Sequence, residues 1–148
     1  MIVGLPDAAV QESRERVQSA IKNAELPYPR KTIIVNLAPA SIRKVGPIYD
    51  LPIAIGVLIA AHALPPEALD GAMVVGELSL DGSLRHISGV LPMADLARRE
   101  GFHRLYVPEI NAPEAALIPG IEVIPVPSLS TLHAHLIGIA PIAPLETA

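Results

Sequence analysis

Cysteine and tryptophan are both absent from the 148 residues, and aromatic side chains make up only 3%. Without cysteine there can be no disulfide staple and no thiolate metal site, which fits a reducing compartment, and the cytoplasm is the expected location. So few aromatics leave no interleaved stacking platform for single-stranded nucleic acid. The longest apolar run, Leu51 to Leu64, is shorter than the ~20 residues a bilayer span requires. It reads as a buried helix, and no membrane association is expected. The N-terminus reaches Pro6 and Asp7 almost at once, so no signal-peptide pattern is present.

Several chemical signatures are missing as well. There is no G-x-x-x-x-G-K-[ST] loop to cradle a nucleotide's phosphates, and no G-x-G-x-x-G dinucleotide fingerprint. The five histidines, at 62, 86, 103, 133 and 135, do not form a ligand set. His133 and His135 are two residues apart, which sends them to different faces of a helix. No metal site is expected, and no cofactor within this chain. The carboxylates are scattered, with no pair set by spacing.

What is present is ample core material. Hydrophobic residues make up 51% and charged residues 18%, and Val, Ile, Leu and Ala dominate, the mixture that suits helices packed on a sheet in one domain. The net charge of −4 is unevenly spread: residues 1–50 carry seven Lys/Arg and five Asp/Glu, whereas residues 51–148 carry four and ten. Arg30, Lys31, Arg43 and Lys44 flank one candidate strand. Two readings stay open for them, a solvated rim and a small surface for a polyanion such as DNA.

Met1 to Leu5 reads as the end of a strand, closed by Gly4 and Pro6. Asp7 is a suitable cap for a helix to about Asn23, with Val10, Val17, Ile21 and Ala24 on one face and Glu12, Arg14, Glu15, Arg16 and Lys22 on the other. Pro27 and Pro29 end it. Thr32 to Leu37 is a β-branched run and reads as a central strand. Asp50 can cap the apolar helix from Leu51 to about Ala63, and Pro65 and Pro66 stop it. Met73 to Leu80 reads as a strand, Asp81-Gly82 as a hairpin turn, and Leu84 to Ile87 as the returning strand. Ser88 is placed to cap a helix to Arg99, with Gly101 beyond its end. Arg104 to Val107 is a strand, Ala112 to Leu117 one or two helical turns, and Ile121 to Val126 the last strand. Ser128 then caps a helix to about Ile137. The alternation predicts a layered α/β (α+β) domain with a mixed sheet. Gly138–Ala148, with Pro141 and Pro144, reads as a linker.

Two stretches carry a more specific signal. The first runs V-G-L-P-D-A-A-V-Q-E-S-R-E-R-V from Val3, continuing through V-N-L-A-P at Val35–Pro39 and G-P-I-Y-D-L at Gly46–Leu51. The second is G-E-L-S-L-D-G-S-L-R-H-I-S-G-V-L-P, from Gly76 to Pro92. Together they resemble the N-terminal domain of the ComM/YifB family of magnesium-chelatase-like (ChlI-type) AAA+ ATPases, over roughly residues 2–137. That domain is similar in fold to the proteolytic domain of Lon. The resemblance implies a single Lon-like domain over 1–137, expected to be N-terminally truncated, and a linker over 138–148 toward an AAA+ module.

The likeness to Lon implies a chemical test. Lon-type peptidases pair a Ser nucleophile with a Lys base, because serine is a weak nucleophile until a neighbour takes its proton. In the stretch resembling K-D-G-P-S-A-G, here Lys44 to Asp50, Ile48 stands at the nucleophile position. In the stretch resembling G-E-I-T-L-x-G-x-V-x-P-I-G-G-L-K, Leu91 stands at the base position. Neither aliphatic side chain can do the chemistry. Ser41, Lys44 and Ser88 lie nearby in sequence but not in the motif positions, so no catalytic residue is expected.

What the resemblance implies for function is an accessory domain of a hexameric motor that processes DNA during natural transformation by branch migration. ATP and Mg would belong to the AAA+ module alone. Its partners would be that module, sister subunits and DNA, with Arg14, Arg16, Arg30, Lys31, Arg43 and Lys44 as the candidate DNA contacts. The alternatives are a structural oligomerisation module and a domain of a magnesium-chelatase-type ATPase, with a Ser-Lys peptidase the least favoured.

Overall fold

The structure, a computed structural model, describes residues 2–3, 7–26, 33–34 and 50–145, with side chains for 15–26 and 50–145. Strand β1 (Ile2–Val3) lies parallel to β2 (Ile33–Ile34), with Ile2 opposite Ile33. Helix α1 (Asp7–Asn23) lies between them in sequence. The rest of the expected strand at Thr32–Leu37 lies outside the described residues.

Helix α2 (Asp50–Ala60) is the apolar run. Leu51, Ile53, Ala54, Ile55, Val57 and Leu58 are all buried, as expected for a helix with no polar face. A 3-10 turn (Pro66–Leu69) then leads into β3 (Ala72–Val74). The hairpin pairs β4 (Glu77–Leu78) antiparallel with β5 (Leu84–Arg85). Next come α3 (Val90–Arg99), β6 (Arg104–Pro108), the short α4 (Ala112–Ala115), β7 (Glu122–Val126) and α5 (Leu129–Leu136).

Strands β3, β6 and β7 form a parallel sheet in that order, with Val74, Tyr106 and Ile124 in register. Successive residues on a strand face opposite ways, and here both faces are covered. Val74, Tyr106, Ile124 and Val126 join the core shared with α1, α2 and α5. Met73, Val75, Leu105, Val107 and Val123 join a second core with α3 and α4. A parallel sheet buried on both sides explains why these strands read as unbroken apolar runs.

The mixed α/β fold therefore matches the expectation, with one change in its assembly. The single strand expected at Met73–Leu80 is two strands in two sheets, and Gly76 marks the break. A Cβ at Gly76 would run into Leu84 Cδ2, so a larger residue there would have to displace the Leu84 side chain. The returning strand is likewise shorter than expected, because Asn111 takes the backbone of Ile87: Nδ2 donates to its carbonyl and Oδ1 accepts its N–H, both at 2.9 Å.

Helix ends show which local signals held. Ser128 caps α5 as expected, its Oγ accepting from Thr131 N–H at 3.1 Å. At α3, Gly89 rather than Ser88 holds the cap position, in a left-handed conformation that glycine adopts without steric penalty. At the other end of α1, Leu26 N–H donates to Ile21 C=O and Glu25 N–H to Lys22 C=O. At the end of α2, Ala63 bonds to Leu58 and His62 to Ile59 in the same way. These are Schellman closures. They put Glu25 at φ 59° and His62 at φ 61°, where glycine is the usual occupant.

The segment read as a linker runs back along the domain as far as Leu145. Ile142 packs on the first core and Leu145 on the second.

Candidate functional site

The two motif stretches meet at the start of α2. Leu51 N–H donates to Gly76 C=O at 3.0 Å, and Leu78 N–H donates to Asp50 Oδ2 at 3.0 Å. Arg16 of α1 closes the junction with two bonds to the same carboxylate, Nε to Oδ2 at 2.6 Å and Nη2 to Oδ1 at 3.0 Å. Asp50 is fully buried and Arg16 is 19% exposed, so this is a charge pair held mostly away from water, in the bidentate geometry that guanidinium favours. One carboxylate thus ties α1, α2 and β4 together.

Two positions were singled out by the likeness to Lon-type peptidases. Ile48, two residues before Asp50, is outside the described residues. Leu91 is half-buried in the first turn of α3. The approach to Leu91 is held by the Asn111 clamp on Ile87, four residues earlier. Asp50 and Asn111, both buried, hold backbone groups of the second motif stretch, at Leu78 and at Ile87.

Among the candidate DNA contacts, Arg16 faces inward onto Asp50. Sequence periodicity had put it on the solvent face of α1. It stands four residues before Ala20 and one before Val17, on the border of the apolar stripe, and a buried partner draws it in. Arg14 lies in α1 with its side chain outside the described residues, as are Arg30, Lys31, Arg43 and Lys44.

Two further polar constellations went unnoticed in the sequence. Tyr106 is buried, and its hydroxyl meets His135 Nε2 at 3.1 Å, with the rings edge-to-face at a centroid distance of 5.6 Å. Burial, the main cause, raises the Tyr106 phenol above its ordinary value; burial, followed by the positive charge of Arg104, lowers His135. His133, on another side of α5, lies 3.0 Å from Ala63 C=O through Nε2 and joins α5 to the end of α2. Elsewhere the charge shifts are local. Asp81 is lowered by hydrogen bonds from the Ser83 backbone and hydroxyl, and Asp95 by the hydrogen bond from Arg98. Among the described residues no group of three or more His, Asp or Glu side chains is placed to hold a metal ion, and no helix is long and apolar enough to cross a membrane.

The arrangement has recognisable relatives. The family described as subunit ChlI of Mg-chelatase matches residues 1–111. An uncharacterised protein of Mycobacterium tuberculosis is 44% identical over 137 residues, 93% of this chain and 27% of that protein. Competence protein ComM of Haemophilus influenzae is 46% identical over 117 residues, 79% of this chain and 23% of that protein. The uncharacterised protein YifB of Escherichia coli is 45% identical over 119 residues, 80% of this chain and 23% of that protein. A more distant likeness, 33% over 90 residues, is to Lon protease 2 of Bacillus subtilis. The chain spans about a quarter of the length of these three curated relatives. With a family match over residues 1–111 and this level of identity to ComM and YifB, the chain belongs to the magnesium-chelatase ChlI-like family.

Proposed function

We propose that this chain is a non-catalytic accessory domain of a ComM-like AAA+ ATPase that processes DNA, serving subunit packing or DNA contact rather than peptide cleavage. The observation that carries the reading is the pairing of Lon-like motifs with aliphatic side chains, Ile48 and Leu91, at the positions of nucleophile and base. Losing either half of such a dyad lowers the rate by orders of magnitude. Asp50 and Asn111 meanwhile hold the backbone of the second motif stretch at Leu78 and Ile87, which suits a shape kept for its surfaces.

The name of the Haemophilus relative supports a role in competence. ATP and Mg would act in a separate ATPase module, since this chain has no glycine-rich phosphate loop ending in Lys-Ser or Lys-Thr. Sister subunits of a hexamer and the chain's own ATPase module are the proposed partners, in the cytoplasm.

Two measurements test the reading. A serine-reactive fluorophosphonate should label no residue of the chain; stoichiometric labelling of one serine would refute the non-catalytic role. Charge reversal of Arg14, Arg30, Lys31, Arg43 and Lys44 in the full-length protein should weaken DNA binding and flatten its salt dependence. Unchanged binding and an unchanged slope would remove DNA contact from this domain and leave subunit packing, to be read by gel filtration.

A further inference from the structure

We propose that residues 139–145 form a strap fastened to the domain by the imidazole of His135, and that protonation of this ring releases the strap from β7. The strap is attached at two points. Ile142 N–H donates to His135 Nδ1 at 2.8 Å, and Leu145 N–H donates to Val123 C=O at 2.8 Å. It leaves α5 through a turn at Gly138, φ 81°, where Ile139 N–H bonds back to Ala134 C=O.

The hydrogen bonds dictate the ring's protonation state. Nδ1 accepts a proton donor from the main chain, so it carries no proton of its own. The neutral ring then holds its proton on Nε2, which donates to the Tyr106 hydroxyl oxygen. Charging the ring places a proton on Nδ1, directly against the Ile142 N–H. Two donors then face each other, and one must withdraw. Tyr106 is buried in the sheet, whereas the strap is held by one bond to the imidazole, one to the main chain of β7, and the half-buried side chains of Ile142 and Leu145. The strap is the part that yields.

The surrounding charges favour the closed form near neutrality. Arg104 and Tyr106 face the ring from β6, and the Arg104 charge opposes a second positive charge. Glu122 of β7 acts on Tyr106. His133, on the same helix, is engaged by Ala63 C=O. Residues 138–145 carry no titratable side chain, so the strap offers nothing to offset a charged ring. The carbonyl end of α5 attracts a cation, but burial and Arg104 outweigh it.

Val123 tells what release would uncover. β7 is an edge of the three-stranded sheet, and Glu122 N–H points to β6, donating to His103 C=O. Val123, the next residue, presents its carbonyl outward, and Leu145 covers it. Pro125, two residues on, faces the same way and has no N–H to offer. Among the described residues the strap is what covers this edge of the sheet, and exposed edges are where strands add.

Hydrogen exchange of the full chain, followed by NMR together with the ring carbons of His135, tests this. The Ile142 and Leu145 amides should lose about tenfold or more of their protection, relative to intrinsic rates, as the His135 ring titrates. Leu105 and Val107 in the central strand should keep theirs. Replacing the acceptor in His135→Phe should leave Ile142 unprotected at every pH and abolish the pH dependence. Protection that is unchanged through the titration of His135 would overturn the proposal. So would a ring that stays neutral until the core unfolds, or pH-dependent release persisting in His135→Phe. The wild-type titration decides the matter even if the variant does not fold.

Discussion

Arg16 and Asp50 meet through two parallel hydrogen bonds, 34 residues apart in the chain, and the same carboxylate also receives the N–H of Leu78. The pair joins the first motif stretch to the second. Removing Arg16 alone would take two hydrogen bonds and an adjacent positive charge from a buried carboxylate. Arg16→Met should therefore destabilise the domain by about 3–5 kcal/mol. The double variant Arg16→Met, Asp50→Leu should recover much of that loss, because both charges go together. Urea denaturation of the two variants and the parent chain measures the difference.

Asn111 substitutes for a strand partner at Ile87. Asn111→Ala removes both bonds and leaves a buried N–H and C=O on Ile87. A loss of roughly 2–4 kcal/mol is expected, since each unsatisfied buried group costs about 1–3. For a domain of this size that lowers Tm by about 4–16 °C, readable by calorimetry.

Glu25 and His62 occupy left-handed positions at the ends of α1 and α2, where a β-carbon crowds the backbone. His62→Gly and Glu25→Gly should each raise stability by about 0.5–1 kcal/mol in thermal unfolding, with His62→Val moving in the opposite direction. Both side chains are exposed, so little packing is lost.

At Gly76 the space a β-carbon would need is taken by the end of the Leu84 side chain. Gly76→Ala should cost about 1–3 kcal/mol through overpacking. Because the junction of α2 with the hairpin moves with it, the Leu51 amide should also lose hydrogen-exchange protection.

His135 makes stability depend on pH in a definite sense. Its folded-state value lies below the ordinary one near 6.5, so the folded chain binds fewer protons there than the unfolded chain. The contribution is fully present above about 6.5 and is lost as pH falls through the lowered folded value. Denaturation curves between neutral and mildly acidic pH should show this loss in the parent chain and a smaller one in His135→Phe.

Much of the fold was legible because it rests on local chemistry. The apolar run from Leu51 could only be a buried helix, Asp81-Gly82 only a tight turn, and Ser128 was recognisable as a cap from its place before Leu129. The aliphatic residues Ile48 and Leu91 could be read against the motifs around them without coordinates. Other features depend on partners far away in sequence. Arg16 looked like one of several charges on a solvent face, and only the approach of Asp50 turned it inward. Asn111 sat unremarked between two apolar residues, and Tyr106 and His135 are 29 residues apart.

The sequence by itself determined the layered α/β class and the positions of the helices, and its motifs pointed to the family. The class and the helices follow from residue type and periodicity within short stretches, the family from the resemblance of two motif stretches. The tertiary structure alone decided which polar side chains are buried, where the strand after Ala72 breaks, and how the segment after α5 is held. Those outcomes depend on desolvation and on close contact between residues distant in the chain, which no local pattern records.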